Sequence, residues 1–184
     1  KSELGSDQAA CLAILLPSTR EFLEELEALS RLEADYVSVP TPFYYPVSQQ
    51  ALLDHYTRIA DASRTPVIIY NIPQNTHNVI ESETVIALSS HENIAGVKDS
   101  SGNFMGYLHG LLESGDRLAW LQGEDQFVAA SFQVGASGLV TGLGNVVVDP
   151  YLSMFEAAKK DDQERVKAEQ RKINALAGII ADVG

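Results

Sequence analysis

Six short apolar runs, rich in β-branched residues, recur along the chain and alternate with helical patterns. They are "CLAILL" (11–16), "YVSVP" (36–40), "PVIIY" (66–70), "IAGVKD" (94–99), "LAWLQG" (118–123) and "GLVTG" (138–142). Runs that are apolar throughout, rather than at every second residue, suit a sheet covered on both faces, the condition of parallel strands in α/β proteins. The intervening segments carry helix start signals. Ser18 and Glu21 form a capping-box pattern ahead of "FLEELEALSRL", where Phe22, Leu26 and Leu29 share one face. Ser48 is placed to cap a helix bearing Leu52, Tyr56 and Ile59, and Ser82 to cap "ETVIALSS". Asn103 is placed to cap "FMGYLHGLLESG", which Gly115 would end. From Pro150 to about Asp182 the pattern is that of one or two charged amphipathic helices. Units of roughly 25 to 30 residues match successive βα units, and both a doubly wound sheet and a (β/α)8 barrel satisfy them. No G-x-G-x-x-G fingerprint of dinucleotide binding follows a strand, and "GLGN" (142–145) is too short to count.

Charge narrows the partners. With 25 acidic against 13 basic residues the 184-residue chain has a net charge of -12. Nucleic acid and anionic lipid are therefore unexpected partners. No apolar run approaches the roughly 20 residues of a membrane helix, and no basic leader opens the chain, so a cytoplasmic location is expected. Cys11, the sole cysteine, is expected to be a buried, inert thiol. His55, His77, His91 and His109 lack metal-type spacing, so no metal is expected.

One residue resists this bland picture. Lys98 is the only lysine between Ser2 and Ala158, and it lies inside an apolar run, "IAGVKDSSGN". In parallel α/β folds functional groups gather at the carboxyl ends of the strands. There the runs place Tyr44 and Tyr45, Tyr70, Lys98, Glu124 and Asp125, and Thr141 with Gly142. A charged amine on an apolar strand is costly, since desolvation favours the neutral form. A neutral amine can attack a ketone to form a Schiff base, whose iminium is an electron sink, and a neighbouring phenol can move the protons. Taken singly, these residues have plainer readings. Lys98 would pair with Asp99 or Glu124, Tyr70 would be a rim aromatic, and Glu124 and Asp125 would begin a helix. Together on one rim they favour chemistry.

The blocks "YNIPQNTHNVI" and, with Lys98 falling 28 residues after Tyr70, "GVKDSSGN" carry a family resemblance. With "TPFYYPVSQQALLDHY" and "GEDQFVAASFQVGASGLVTGLGN", the chain resembles the dihydrodipicolinate synthase / N-acetylneuraminate lyase family of pyruvate-dependent class I aldolases over nearly all of residues 12 to 176. The resemblance implies a (β/α)8 barrel with a helical C-terminal extension, and a homotetramer built as a dimer of dimers. It implies Lys98 as the Schiff-base lysine, Tyr70 as the proton-transferring tyrosine, and Tyr44 as the tyrosine that reaches a neighbouring site across the dimer. Gly123 and Thr141 would line the pocket, with Glu124 and Asp125 as polar candidates for substrate hydroxyls. No cofactor is implied beyond the covalent bond to substrate.

Two departures shape the expectation. Six strands correspond to strands three to eight of eight, so residues 1–150 are expected to form a partial barrel, and 151–184 the last barrel helix and the start of the extension. The family's Gly–Thr–Thr–Gly–Glu-type loop would precede Lys1, and an open barrel would expose two long strand edges prone to aggregation. Second, the synthases carry an arginine five residues after the tyrosine, where this chain has Asn75. An amide cannot replace the bidentate fork that binds the aldehyde partner's carboxylate. The expected reaction is thus cleavage of a 2-keto-3-deoxy sugar acid to pyruvate and an aldehyde. 4-Hydroxy-tetrahydrodipicolinate synthesis is the nearest alternative, sialic-acid cleavage or a dehydratase variant a further one. A non-catalytic ligand-binding barrel and a flavodoxin-like anion binder are the readings from other classes.

Overall fold

The computed structural model describes residue 5 and residues 8–183. Its strands are β1 (Cys11–Ala13), β2 (Tyr36–Pro40), β3 (Val67–Asn71), β4 (Ile94–Asp99), β5 (Ala119–Gln122) and β6 (Gly138–Leu139). All neighbouring pairs are parallel, in the order β1-β2-β3-β4-β5-β6. An order that never reverses has no switch point, which excludes the doubly wound alternative and leaves a curved sheet of six barrel units. The helices are α1 (Thr19–Ser30), α2 (Gln49–Ala62), α3 (Pro73–Thr76), α4 (Ser82–Leu88), α5 (Phe104–Ser114), α6 (Val128–Gln133), α7 (Asp149–Lys159) and α8 (Gln163–Val183).

Local chemistry sets most of the boundaries. Ser18, Ser48 and Asn103 accept hydrogen bonds from the backbone N–H of Glu21, Ala51 and Gly106, so each caps its helix as its residue type predicts. Gly115 ends α5 at φ 55°, a conformation open to glycine without a Cβ clash. Ser82 does not cap α4. Glu81 takes the extended cap position, and Ser82 is the first helical residue, donating to Glu83. Two helices escape the periodicity argument, α3 and α6, because four and six residues complete too few turns to show it.

The principal core lies between the outer face of the sheet and α1, α2, α4 and α5. Val37, Val39, Val67, Ile69, Val97 and Trp120 meet Phe22, Leu52, Tyr56, Val85 and Tyr107 there. A second core joins α6, α7 and α8 through Val128, Tyr151, Met154, Val166 and Ile173. Run one stops at Ala13 and run six at Leu139, so Thr141 and Gly142 lie beyond a strand instead of ending it. Among the described residues β1 pairs only with β2 and β6 only with β5. These edges are 3 and 2 residues long, shorter than expected, which limits the template they offer another strand.

His55 on α2 is buried against Tyr56, with its Nδ1 2.8 Å from the Thr19 hydroxyl. Burial lowers its pKa from 6.5 to about 4, and the charge of Arg58 acts in the same direction against a backbone bond to Pro40. The unfolded chain therefore binds more protons than the folded one between those values, and stability falls as pH drops through that window. We expect the unfolding free energy measured in urea to fall by about 2 kcal/mol relative to that of His55→Gln between pH 7 and about pH 5. An unchanged difference between the two proteins across that range would refute it.

Candidate active site

The site begins with a register slip. β3 and β4 pair Val67 with Ile94 but Ile68 with Gly96, so Ala95 is an extra residue. Beyond it Tyr70 stands opposite Lys98, and Asn71 opposite Asp99. A bulge changes which face a side chain takes. Here Ala95 and Lys98, three residues apart, both line the inner face, while Val97 joins the core under the helices. That inner face forms a cavity of about 400 Å³, lined by Cys11, Ala13, Tyr36, Ser38, Ile68, Tyr70, Ala95, Lys98, Ala119, Leu121 and Val140.

Lys98 is thus half-buried in a cavity wall, not sealed inside the sheet. Its Nζ lies 4.0 Å from the centroid of the Tyr70 ring. The ion-pair reading fails among the described residues, since neither Asp99 nor Glu124 pairs with the amine. Asp99 points to the other side of the sheet, where it accepts from the Asn71 amide (2.8 Å), the Ser101 N–H (2.9 Å) and the Ser101 hydroxyl (2.7 Å). The residue next to Lys98 therefore anchors the start of the following loop and leaves the amine facing the cavity. An amine above a phenol in an apolar cavity has the parts for carbinolamine chemistry with a carbonyl compound.

The far rim is built by β5 and β6. Gly123 donates its N–H to the Asp99 carbonyl at 2.7 Å, joining the ends of β5 and β4. A Cβ on Gly123 would lie 2.1 Å from the Ser100 hydroxyl and 2.8 Å from the Asp99 carbonyl oxygen, so this approach requires glycine. Gly123→Ala is expected to cost about 1–3 kcal/mol of stability. It should also slow any chemistry at Lys98; an unshifted thermal midpoint with unchanged activity would contradict this.

Asp125, expected as a polar candidate for substrate hydroxyls, is bonded within the fold. One carboxylate oxygen accepts from the Tyr151 hydroxyl at 2.7 Å and from the Thr141 hydroxyl in a short bond. Gln170 donates to its carbonyl at 2.9 Å. Burial, then the bond to Asp125, pushes the Tyr151 phenol well above its ordinary value, so it remains a donor. Asp125 and Thr141 thus tie the β5 and β6 loops to α7 and α8, and neither lines the cavity. Glu124 stays half-exposed beside them, its N–H bonded to Gln122.

Tyr44 and Asn75 are also outside the cavity wall. Tyr44 is 77% exposed with φ 82°, its ring edge-on to Tyr45 at 4.9 Å. Asn75 is exposed on α3. Cys11, expected to be buried, is exposed on the cavity wall because β1 turns it to the inner face. Partial burial raises its thiol pKa, with the charge of Lys98 opposing. Sequence reasoning missed Tyr36, Ser38 and Ile68 as cavity residues. The signal was available: Ile68 is two residues before Tyr70, and Ser38 pairs with Ile68, so strand periodicity puts them on the Tyr70 face.

Comparison with known proteins bears on this geometry. Residues 16–183 match the Dihydrodipicolinate synthetase family. A DapA-like lyase of Halobacterium salinarum is 36% identical over 171 residues, covering 93% of this chain and 56% of its own length. The 4-hydroxy-tetrahydrodipicolinate synthase of Staphylococcus saprophyticus is 31% identical over 166 residues, covering 89% and 55%. The chain thus spans about half the length of these curated relatives. Among solved structures, the 2-keto 3-deoxygluconate aldolase from Picrophilus torridus superposes with a TM-score of 0.83 at 29% identity, over 95% of this chain and 62% of that one. The dihydrodipicolinate synthase of Acinetobacter baumannii, complexed with pyruvate, gives 0.82 at 28%, over 90% and 56%. A dihydrodipicolinate synthase from Thermotoga maritima, at 19% identity and a TM-score of 0.88, supports the fold alone, over 93% and 59%.

Proposed function

Since the chain belongs to the dihydrodipicolinate synthetase family, we propose that Lys98 forms a Schiff base with a 2-keto acid, and that the protein is an aldolase cleaving 2-keto-3-deoxy sugar acids to pyruvate and an aldehyde. The observation that carries this reading is the Lys98 amine 4.0 Å above the Tyr70 ring, the two residues lying near the carboxyl ends of β4 and β3 and lining the cavity on the sheet's inner face. The Lys98 amine adds to the C2 ketone, Tyr70 gives its hydroxyl proton to the departing C2 hydroxyl, and loss of water leaves an iminium and the Tyr70 phenolate. The C4 hydroxyl gives its proton to Tyr70 as the C3–C4 bond breaks, the electron pair moves to the iminium nitrogen, and the aldehyde departs. The resulting enamine takes that proton from Tyr70 at C3, and water then adds to the iminium, returns a proton to Tyr70, releases pyruvate and restores the amine. The iminium is itself the electron sink, so the chemistry calls for no cofactor.

Asn75 supports the sugar-acid substrate, because its amide lacks the bidentate fork that recognises a second carboxylate. The aldolase from Picrophilus torridus, 29% identical, lends the same support. The second reading, 4-hydroxy-tetrahydrodipicolinate synthesis, draws on the synthase names among the relatives. Glu124, half-exposed on the rim, is the remaining acidic candidate for a substrate hydroxyl. Tyr44, exposed and outside its own cavity, suits a role in the site of a neighbouring copy, in keeping with a homotetramer working in the cytoplasm.

Borohydride reduction with pyruvate tests the shared mechanism and should place the mass of a reduced pyruvate on Lys98. Activity on 2-keto-3-deoxygluconate, set against condensation of pyruvate with aspartate semialdehyde, then separates the two substrates. Binding of pyruvate that leaves no adduct and survives Lys98→Ala would favour a non-catalytic barrel.

A further inference from the structure

We propose that Asn78 is the positioning residue that holds the Tyr44 loop in its working shape, an inference that rests on the role proposed above for Tyr44. The side chain of Asn78 is buried, and it is bonded at both ends to the segment that carries the two tyrosines. Its Oδ1 accepts from the Val47 N–H at 2.8 Å, and its Nδ2 donates to the Pro42 and Tyr45 carbonyls, each at 2.8 Å. One amide thus gathers three backbone groups of residues 42–47 around itself. The loop is fastened on either side to the same stretch. Thr41 donates to Thr76 at 2.7 Å, and Gln49 donates to the Val79 carbonyl at 2.9 Å and accepts from Thr84 at 2.7 Å.

Inside this clasp Tyr44 takes φ 82°, a region a bulky L-residue avoids. Such a conformation persists only where its surroundings over-determine it. Side-chain packing offers little restraint, because Tyr44 and Tyr45 are 77% and 72% exposed, with their rings edge-on to each other. The restraint is the backbone bonding through Asn78. Only a carboxamide fits the set. A carboxylate would set negative charge against two carbonyls, and an apolar side chain would leave one donor and two acceptors without this partner, the Pro42 carbonyl among them buried. The outcome is an exposed aromatic pair already fixed in shape, so that engaging a site on another copy costs little ordering entropy.

Amide hydrogen exchange on the full chain tests the clasp directly. In Asn78→Ala the Val47 amide is expected to exchange about 10-fold faster or more. Pyruvate capture on Lys98 should stay within about twofold, while aldol turnover falls on the order of 10- to 100-fold. The double variant with Tyr44→Phe should be no slower than Tyr44→Phe alone, since Asn78 acts through that tyrosine. If Asn78→Ala does not fold, Asn78→Asp serves, because it keeps the acceptor for Val47 and loses the donors to the Pro42 and Tyr45 carbonyls; turnover is then read against pyruvate capture and should again fall while capture is kept. Unchanged exchange, or losses that multiply independently in the double variant, overturns the proposal. Failure of the unaltered chain to capture pyruvate sinks the functional reading instead, and the exchange result still decides the loop.

Discussion

Lys98→Ala should abolish capture of pyruvate under borohydride and lower aldol turnover by about 10⁴-fold or more, the scale seen when a covalent nucleophile is removed. The effect should be chemical. Lys98 is half-buried on a cavity wall with its amine against the Tyr70 ring, so truncation opens space already accessible from the cavity. Its thermal midpoint should therefore stay close to that of the parent. Lys98→Arg should be equally inactive, because a guanidinium keeps its charge and has no free electron pair to offer a ketone. Intact-mass analysis of the reduced protein, followed by peptide mapping, provides the measurement. An adduct that persists in Lys98→Ala, or that maps to Lys167 or Lys172 in the parent, would end the Schiff-base account.

The second large effect belongs to Tyr70. Tyr70→Phe should reduce turnover by about 10²–10⁴-fold, the usual worth of a general acid–base group, while capture of pyruvate on Lys98 continues more slowly. The substitution separates two functions of one side chain. The ring that lies 4.0 Å beneath the amine is retained, so the amine–ring contact that places Lys98 is preserved. Only the hydroxyl is lost. Tyr70→Leu removes both, and should impair capture as well as turnover. If Phe and Leu behave alike, with capture and turnover falling together, Tyr70 serves as a platform for the amine and moves no proton.

Much of this site was legible from the chain. The spacing of Tyr70 and Lys98, and the boundaries of β2 and β4, agree with the apolar runs at 36–40 and 94–99. Ser18, Ser48 and Asn103 cap helices because a side-chain oxygen can meet an orphan N–H three residues on, a strictly local interaction. Asp125 shows where such reading ends. As an acid on a strand-end loop it reads as a substrate ligand, yet one of its two carboxylate oxygens is taken by Thr141 and Tyr151, 16 and 26 positions away. Asn78, in a stretch that reads only as loop, turns out to clasp groups 31 to 36 positions away.

The amino-acid order alone determined the succession of βα units, the placing of the capped helices and the pairing of one amine with one phenol, because periodicity, capping and strand-end position act over a few residues. Three-dimensional packing decided the rest. The extra residue at Ala95 turns Lys98 toward the cavity, β1 exposes Cys11, and distant side chains claim Asp125 and clasp the Tyr44 loop. A strand's facing depends on its register with a neighbour, and a polar group's freedom depends on what folds against it, so neither is defined until remote segments meet.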